Sequence, residues 1–350
     1  MWLMIHLKQI YMKKDYKHFL GVDVSKKTLD LALILNHDKN SIVYTKINNT
    51  AVSIRGLSNW LTENGVDFDD VLLCMEFTGV YNRPLLNFIM KKNCAVWLVM
   101  PVAIKRSIGL QRGKNDKVDA KRIAIYACMF QQDYKPWKPA SENITLLKDL
   151  ISLRQRLIKS EKILRAPIKE LKAMKEIRSV KVIEQNCKGA INQLQKDLKA
   201  VQNRIQEIIT SDTNLITNYK LLLSIPGIGP FTALDLICYT NNFEYYNEGK
   251  QLACYAGTAP FEHTSGTSIR GKTRVSNMAN HNLKTNLTLG AWAVIRANGF
   301  LRKYYERKLA EGKEKMSVIN AVRNKLIHIA TAVIRNQTPF DKNYVSPLAA

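Results

Sequence analysis

Four carboxylates in this 350-residue chain stand where an acid needs a reason. Asp116 and Asp119 lie three residues apart in "GKNDKVDAKRIAIYA", among Lys114, Lys117, Lys121 and Arg122. From Lys117 onward Val118, Ala120, Ile123, Ala124 and Ala127 give the segment helical spacing, and residues i and i+3 share a helix face. Both acids can therefore address one object. A solvated first turn would carry acids too, because they favour the positive end of the helix dipole. Asp23 sits in the apolar run "FLGVDVS" and Glu76 in "VLLCMEFTG", and a carboxylate with hydrophobic strand neighbours is costly unless it is paired or bound to metal. Taken singly, each reads as a strand-end acid. Taken with the opening pair, they give four oxygen ligands in the order Asp, Glu, Asp, Asp, a set suited to Mg²⁺. Two such ions about 3.5 to 4 Å apart can activate the attacking group and stabilise the leaving oxygen of a phosphoryl transfer. The surrounding Lys and Arg would hold the phosphates.

A second constellation lies in "LACYAGTAPFEHTSGTSIRGKTRVSNMANHNLKTNLTLGAW", rich in Gly, Ser, Thr and, at Arg270, Lys272 and Arg274, in positive charge. This is the character of a phosphate-handling loop, and Ser265, Ser268 and Ser276 are all candidate nucleophiles that composition does not separate. His263, two residues from Ser265, reads as incidental rather than as its general base, and Tyr255 reads as core. In "LLLSIPGIGPFTALDLICY", Pro226, Gly227, Ile228 and Gly229 separate two helical patterns. A plain turn between helices would look the same, but in a basic chain the pattern matches a helix-hairpin-helix. Its glycine turn lets backbone N–H groups meet a DNA phosphate without reading sequence, with Thr232 placed to add a hydroxyl contact.

The elements that must position these groups follow from periodicity. From about residue 18 the pattern is α/β: "HFLGVDVSKKTLDLALIL" gives two strands, "SIVYTKI" a third, "VSIRGLSNWLTENG" a helix ending at Gly65, "DVLLCMEFTG" a fourth strand, Arg83 to Lys92 a helix and "AVWLVMP" a fifth strand. A three-strand meander followed by alternating helix and strand is the order of an RNase H-like sheet, which would bring strand one, strand four and the last helix together. Residues 131–218 carry 3.5 to 3.6 periodicity with almost no glycine and read as a long helical, coiled-coil arm interrupted at Pro167. Between Arg154 and Lys181 the arm holds ten basic residues against three acidic, which suits either a solvated exterior or a grip on nucleic acid. Residues 219–350 form a mainly α, basic third unit.

Composition sets the partners. Lys and Arg number 53 against 29 Asp and Glu, a formal +24 that suits a phosphate backbone better than a small substrate. No apolar run reaches the roughly 18 residues of a membrane span, and no basic amphipathic helix carries bulky aromatics along one face. The opening "MWLMIHLKQIYMKK" lacks the length and cleavage site of a secretory signal, which makes the cytoplasm the default. Cys74, Cys94, Cys128, Cys187, Cys238 and Cys254 are scattered, as reduced and mostly buried thiols would be, and they argue against zinc.

These pieces in this order resemble the DEDD transposase family of insertion-sequence recombinases, the IS-one-ten family, relatives of the Piv DNA invertase. "GVDVSKKTLDLAL", "EFTGVYNRPLLNFI" and "KNDKVDAKRIA" are similar to its RuvC-like domain (18–130), and "SIPGIGPFTA", "ACYAGTAPFEHTSGTSIRG" and "NAVRNKLIHIATAVIRNQTPF" to its C-terminal transposase domain (219–350). The resemblance spans roughly residues 18 to 340 and leaves residues 1–17 as an extension, before a start at Met12. It implies a recombinase that cuts and rejoins donor and target DNA, with Asp23, Glu76, Asp116 and Asp119 binding Mg²⁺. It also selects Ser265, in a Ser-Gly pair after "YAG", as the nucleophile of a phosphoserine intermediate. A structured noncoding bridge RNA and a homo-oligomer, dimer or tetramer, with the site shared between chains, follow from the same resemblance. The chain departs from the family at Asn277 and Ala279, where Lys and Gly are usual, and at Lys284, where Arg is usual. The rival readings are a RuvC-type junction nuclease, in which water attacks and no serine is needed, and a non-catalytic nucleic-acid binder.

Overall fold

The computed structural model describes residues 15–107, 109, 115–246, 248–265, 269–297 and 301–341, and among these the side chains of 265, 269, 270 and 272 are not described. Met12 with most of the expected extension, Lys114 and Ser268 lie outside the described residues. The chain divides into two compact units, 1–139 and 140–350.

In the first unit, apolar runs buried on both faces make β1 (His18–Val24) and β2 (Thr28–Ile34), and a half-buried run makes the edge strand β3 (Ile42–Asn48). After them come α1 (Ala51–Arg55), α2 (Leu57–Glu63), β4 (Val71–Glu76), α3 (Arg83–Ile89), β5 (Ala95–Val99), α4 (Pro101–Ser107) and α5 (Asp116–Phe130). The sheet order is β3-β2-β1-β4-β5, with β2 antiparallel and β4 parallel to the central β1. This is the RNase H-like order that the meander predicts. Successive side chains of a strand point to opposite faces. Leu20, Val22, Leu29, Leu31, Leu73 and Met75 accordingly bury one face together with residues of α1, α2 and α3, while Phe19, Ala32, Ile34, Leu72 and Cys74 bury the other with Ala120, Ile123, Ala124 and Ala127 of α5. The helix expected to end at Gly65 is two helices, divided at Gly56.

The second unit opens with two long helices, α6 (Glu142–Ala173) and α7 (Ile177–Ser211), packed on one another through Ile168, Val180 and Ile191. The interruption expected at Pro167 does not occur: α6 runs through it. A proline removes one backbone N–H, and the burial of Ile168 beside it holds the segment helical across the gap. The chain reverses instead around Lys175, whose φ of 61° lies in the left-handed region. Next follow α8 (Thr213–Leu223), α9 (Pro230–Thr240), α10 (Gly249–Tyr255), β6 (Pro260–Ser265), β7 (Ile269–Val275), α11 (His281–Arg296), α12 (Arg302–Ala310) and α13 (Lys315–Asn336). Leu222, Leu236, Leu252, Leu287, Leu326 and Ile327 are among the side chains of its larger core. The segment expected to be a loop around Ser265 is an antiparallel two-stranded hairpin.

Candidate functional site

The α5 face of the sheet gathers the acids. Along β1, Phe19, Gly21 and Asp23 alternate onto that face, and α5 crosses so close to Gly21 that a Cβ there would stand 2.2 Å from Ala124 N and 2.3 Å from Ala120 O. Only a glycine admits that approach. One turn back along α5 from Ala120, Asp116 and Asp119 come level with Asp23. The parallel register that pairs Val22 with Met75 places Glu76 one step further on, beside Asp23. Buried Asn82 fixes the corner after Glu76: its Nδ2 donates to Glu76 O at 2.8 Å and its Oδ1 accepts from Thr78 N at 2.8 Å.

Electrostatics ties the four together. Burial pushes the Asp23 carboxyl up to about 6, and Asp119, Asp116, Glu76 and Asp30, in falling order, add to it by like-charge repulsion. Asp30 was not foreseen. It faces Asp23 across the β1–β2 pair, is 2% exposed, accepts a hydrogen bond from the Tyr44 hydroxyl and meets Lys46 Nζ at 3.2 Å. Lys46 Nζ also lies 3.7 Å from Asp116 Oδ2, so one ammonium spans two acids. The flanking cations are drawn in differently: Arg122 Nη1 holds Asp119 Oδ1 at 2.8 Å, Lys117 Nζ stands 4.8 Å over the Tyr44 ring, and Lys121 is half-buried. Among the described residues no three His, Cys, Asp or Glu side chains converge as a finished ligand set. The donors are nonetheless all hard carboxylate oxygens, and their mutual repulsion is what a divalent cation would relieve.

In the second unit Ser265 ends β6, its backbone registered against Ile269, with Thr264 against Arg270. Arg274 is exposed on β7, opposite Phe261; the Arg270 and Lys272 side chains are outside the described residues. Ser276 is engaged locally, its Oγ accepting from Met278 N at 3.0 Å. Tyr255 packs against Tyr246 and Tyr239, and its hydroxyl accepts from Asn280 Nδ2 at 3.0 Å, a core role. The turn at Pro226–Gly229 joins α8 and α9 as its pattern predicts. Gly227, at φ 93°, presses on Gly290 of α11: a Cβ on Gly290 would stand 2.1 Å from Gly227 O, and one on Gly227 2.7 Å from Gly290 O. A Cβ on Gly229 would meet open space. Thr232 is 7% exposed, so its hydroxyl is buried rather than offered outward.

Two family models match the chain, a DEDD transposase model of IS110 elements over residues 20–178 and the transposase model of the IS116/IS110/IS902 family over 219–306. The pilin gene-inverting protein of Moraxella bovis is 30% identical over 331 residues, 93% of this chain and 98% of that protein. The chain belongs to the IS110 transposase family. Another relative of this IS110-family transposase is the transposase for insertion sequence element IS1111A of Coxiella burnetii, 23% identical over 81% of this chain and 79% of that one. Among solved structures, T. thermophilus RuvC in complex with Holliday junction substrate aligns at a TM-score of 0.28 and 10% identity, covering 35% of this chain and all of that one.

Membership makes the chain a DNA transposase or recombinase, an enzyme. None of the helices described for the IS110-family transposase is long and apolar enough to cross a membrane. All six cysteines are free, with Cys74, Cys128 and Cys238 buried. Asp30, Tyr44, Lys46 and Gly21 are the site residues that sequence reasoning missed. The one available signal was Asp30 itself, an acid inside "TLDLALIL" with apolar neighbours on both sides, the argument already applied to Asp23.

Proposed function

We propose that this IS110-family transposase cuts and rejoins DNA with Asp23, Glu76, Asp116 and Asp119 holding Mg²⁺ and Ser265 as the nucleophile. The observation that supports the reading is the lie of those four acids along one face of the sheet, with Asp23 pushed up to about 6 by burial and by the charges of the other three together with Asp30. Mg²⁺ bound there would supply positive charge to a phosphate and acidify a hydroxyl beside it. The chain's own part is to orient the acids, through Gly21 beneath α5 and Asn82 behind Glu76, and to hold Asp30, Lys46 and Asp116 in register. The Ser265 oxygen forms a bond to phosphorus as the bond to the leaving strand breaks. A strand hydroxyl then attacks the phosphoserine, rejoining DNA and freeing the serine.

Family resemblance supports a guide RNA in addition to DNA, and the cleft of about 890 Å³ between α6 and α7, lined by Lys162, Arg165, Lys169, Lys172, Lys181 and Lys188, is the surface we assign to it. In this reading α6 and α7 act as a coiled-coil arm between a RuvC-like and a transposase domain. The turn between α8 and α9 works as a helix-hairpin-helix on DNA, and the serine and carboxylates that act together come from different copies of a homo-oligomer.

The deciding experiment denatures a reaction on labelled DNA and looks for a protein-linked strand. Wild type, Ser268→Ala and Ser276→Ala should give the adduct, while Ser265→Ala and Asp119→Asn should not. An adduct surviving in Ser265→Ala would remove the nucleophile assignment, and cleavage without any adduct would favour the RuvC-type reading in which water attacks.

A further inference from the structure

Two cations in the second unit, one buried and one half-buried, have nothing among the described residues to neutralise them. Arg323, in the middle of α13, is 7% exposed, and its Nε is enclosed without a hydrogen-bond partner. Lys284, half-buried on α11, lies near enough that Arg323, second only to burial, pushes its ammonium below the ordinary range; burial does the same to Arg323. Neither side chain makes a hydrogen bond or ion pair with a described residue. The Gly257–Thr258 turn links their surroundings. Lys284 Nζ stands 3.6 Å, and Ser276 O 3.5 Å, from where a Cβ on Gly257 would lie. On the Arg323 side of α13, Asn320 Nδ2 donates to Thr258 O at 2.8 Å while Asn320 Oδ1 is buried with no partner, and Thr258 Oγ1 lies 3.3 Å from Asn324 Oδ1. The Gly257–Thr258 turn so anchored leads directly into β6, the strand that ends at Ser265.

A buried guanidinium with no partner and a like charge in its neighbourhood is unfavourable twice over, by lost hydration and by repulsion, and packing alone gives no reason to keep it. An oxyanion removes both penalties. The planar fork of an arginine grips phosphate in two places, and a lysine adds a point charge. We propose that Arg323 and Lys284 form a phosphodiester-binding pocket at the root of hairpin β6–β7, which holds a backbone phosphate of the bound DNA strand and so positions that strand for Ser265. The choice of DNA rests on the transposase reading above; the pocket itself rests on the two unpartnered cations.

The test uses the full chain carrying Ser265→Ala, so that binding is read without strand cutting and whether or not Ser265 is the nucleophile. Inorganic phosphate should raise the melting midpoint of this protein and leave that of Arg323→Met and Lys284→Met unmoved. Each substitution should weaken duplex DNA binding about tenfold and lower the slope of log affinity against log salt by about one. In anion-free buffer Arg323→Met should melt at or above the parent, which an arginine kept for structure would not permit. Wild-type DNA affinity and salt slope in Arg323→Met would overturn the proposal, as would a phosphate response with no loss of DNA binding, which would mark an adventitious anion site. Weakened binding of an RNA of the same sequence, with DNA unaffected, would overturn the DNA assignment. Should Arg323→Met not fold, Arg323→Lys, which keeps the charge, should retain part of the phosphate response, and Lys284→Met reads the pocket from the other helix.

Discussion

The proton on Asp23 competes with any cation that the carboxylate cluster receives. Its folded-state value of about 6 lies above the ordinary 3.8, so the folded chain binds this proton more tightly than the unfolded chain does. The stability it lends is complete below about pH 4 and is lost as pH rises through about 6. Buried Asp235 is also pushed up to about 6 by burial, against the opposing hydrogen bond from Asn286 and the charge of Arg154, and it titrates in the same window. A difference curve against Asp23→Asn therefore isolates Asp23. In metal-free buffer, denaturant unfolding between pH 4 and 7 should show wild type losing stability relative to Asp23→Asn as pH rises. Parallel curves would remove the raised carboxyl. By the same competition, Mg²⁺ affinity measured calorimetrically should strengthen from pH 5 to 7 in wild type, since ligands must be deprotonated to bind.

At the scale of elements, the contact of α5 with β1 sets where Asp116 and Asp119 stand, and Gly21 is its condition. Gly21→Ala forces a methyl into the helix backbone and should cost about 2 kcal/mol or more in denaturant unfolding, with a parallel loss of Mg²⁺ affinity. Gly189, inside α7 with open space at its Cβ position, is the control: Gly189→Ala should stabilise by about 0.5 to 1 kcal/mol. Equal effects of the two would deny Gly21 its packing role. The five strands of the sheet were legible because each is an apolar run bounded by turn residues, and the acids that interrupt β1 and end β4 stood out against them. Asp30 escaped because an acid in an alternating strand reads as the solvent face, and it is the coverage by α5, a tertiary fact, that buries it. Pro167 was read by its local rule, which Ile168 packed against α7 overrides. Hairpin β6–β7 was missed because its pairing comes from backbone hydrogen bonds, while its Gly, Ser, Thr and basic residues carry the composition of a loop. Thr232 was placed outward by its position after a turn, and the core behind α9 encloses it.

The whole chain carries a formal charge of +24, and the α6–α7 helices hold 14 Lys and Arg against 7 Asp and Glu. Reversing three of the cleft residues, Lys162→Glu, Lys169→Glu and Lys188→Glu, should strip copurifying RNA while leaving the melting midpoint within a few degrees, because exposed charges contribute little to stability. RNA is held largely by phosphate and shape, so the loss should be general rather than selective for sequence. Recombination unaffected by ribonuclease, on protein shown to be free of RNA, would defeat the assignment. The reciprocal pressing of Gly227 and Gly290 has a bearing on how such a chain changes over generations. Most touching residues can trade bulk, one shrinking as the other grows, and leave a correlated record in their descendants. Here each partner meets the other's backbone, so neither can enlarge whatever its neighbour becomes. The two positions should stay glycine independently in relatives that keep this turn, and the contact that locks α8, α9 and α11 together should leave no trace of correlated change.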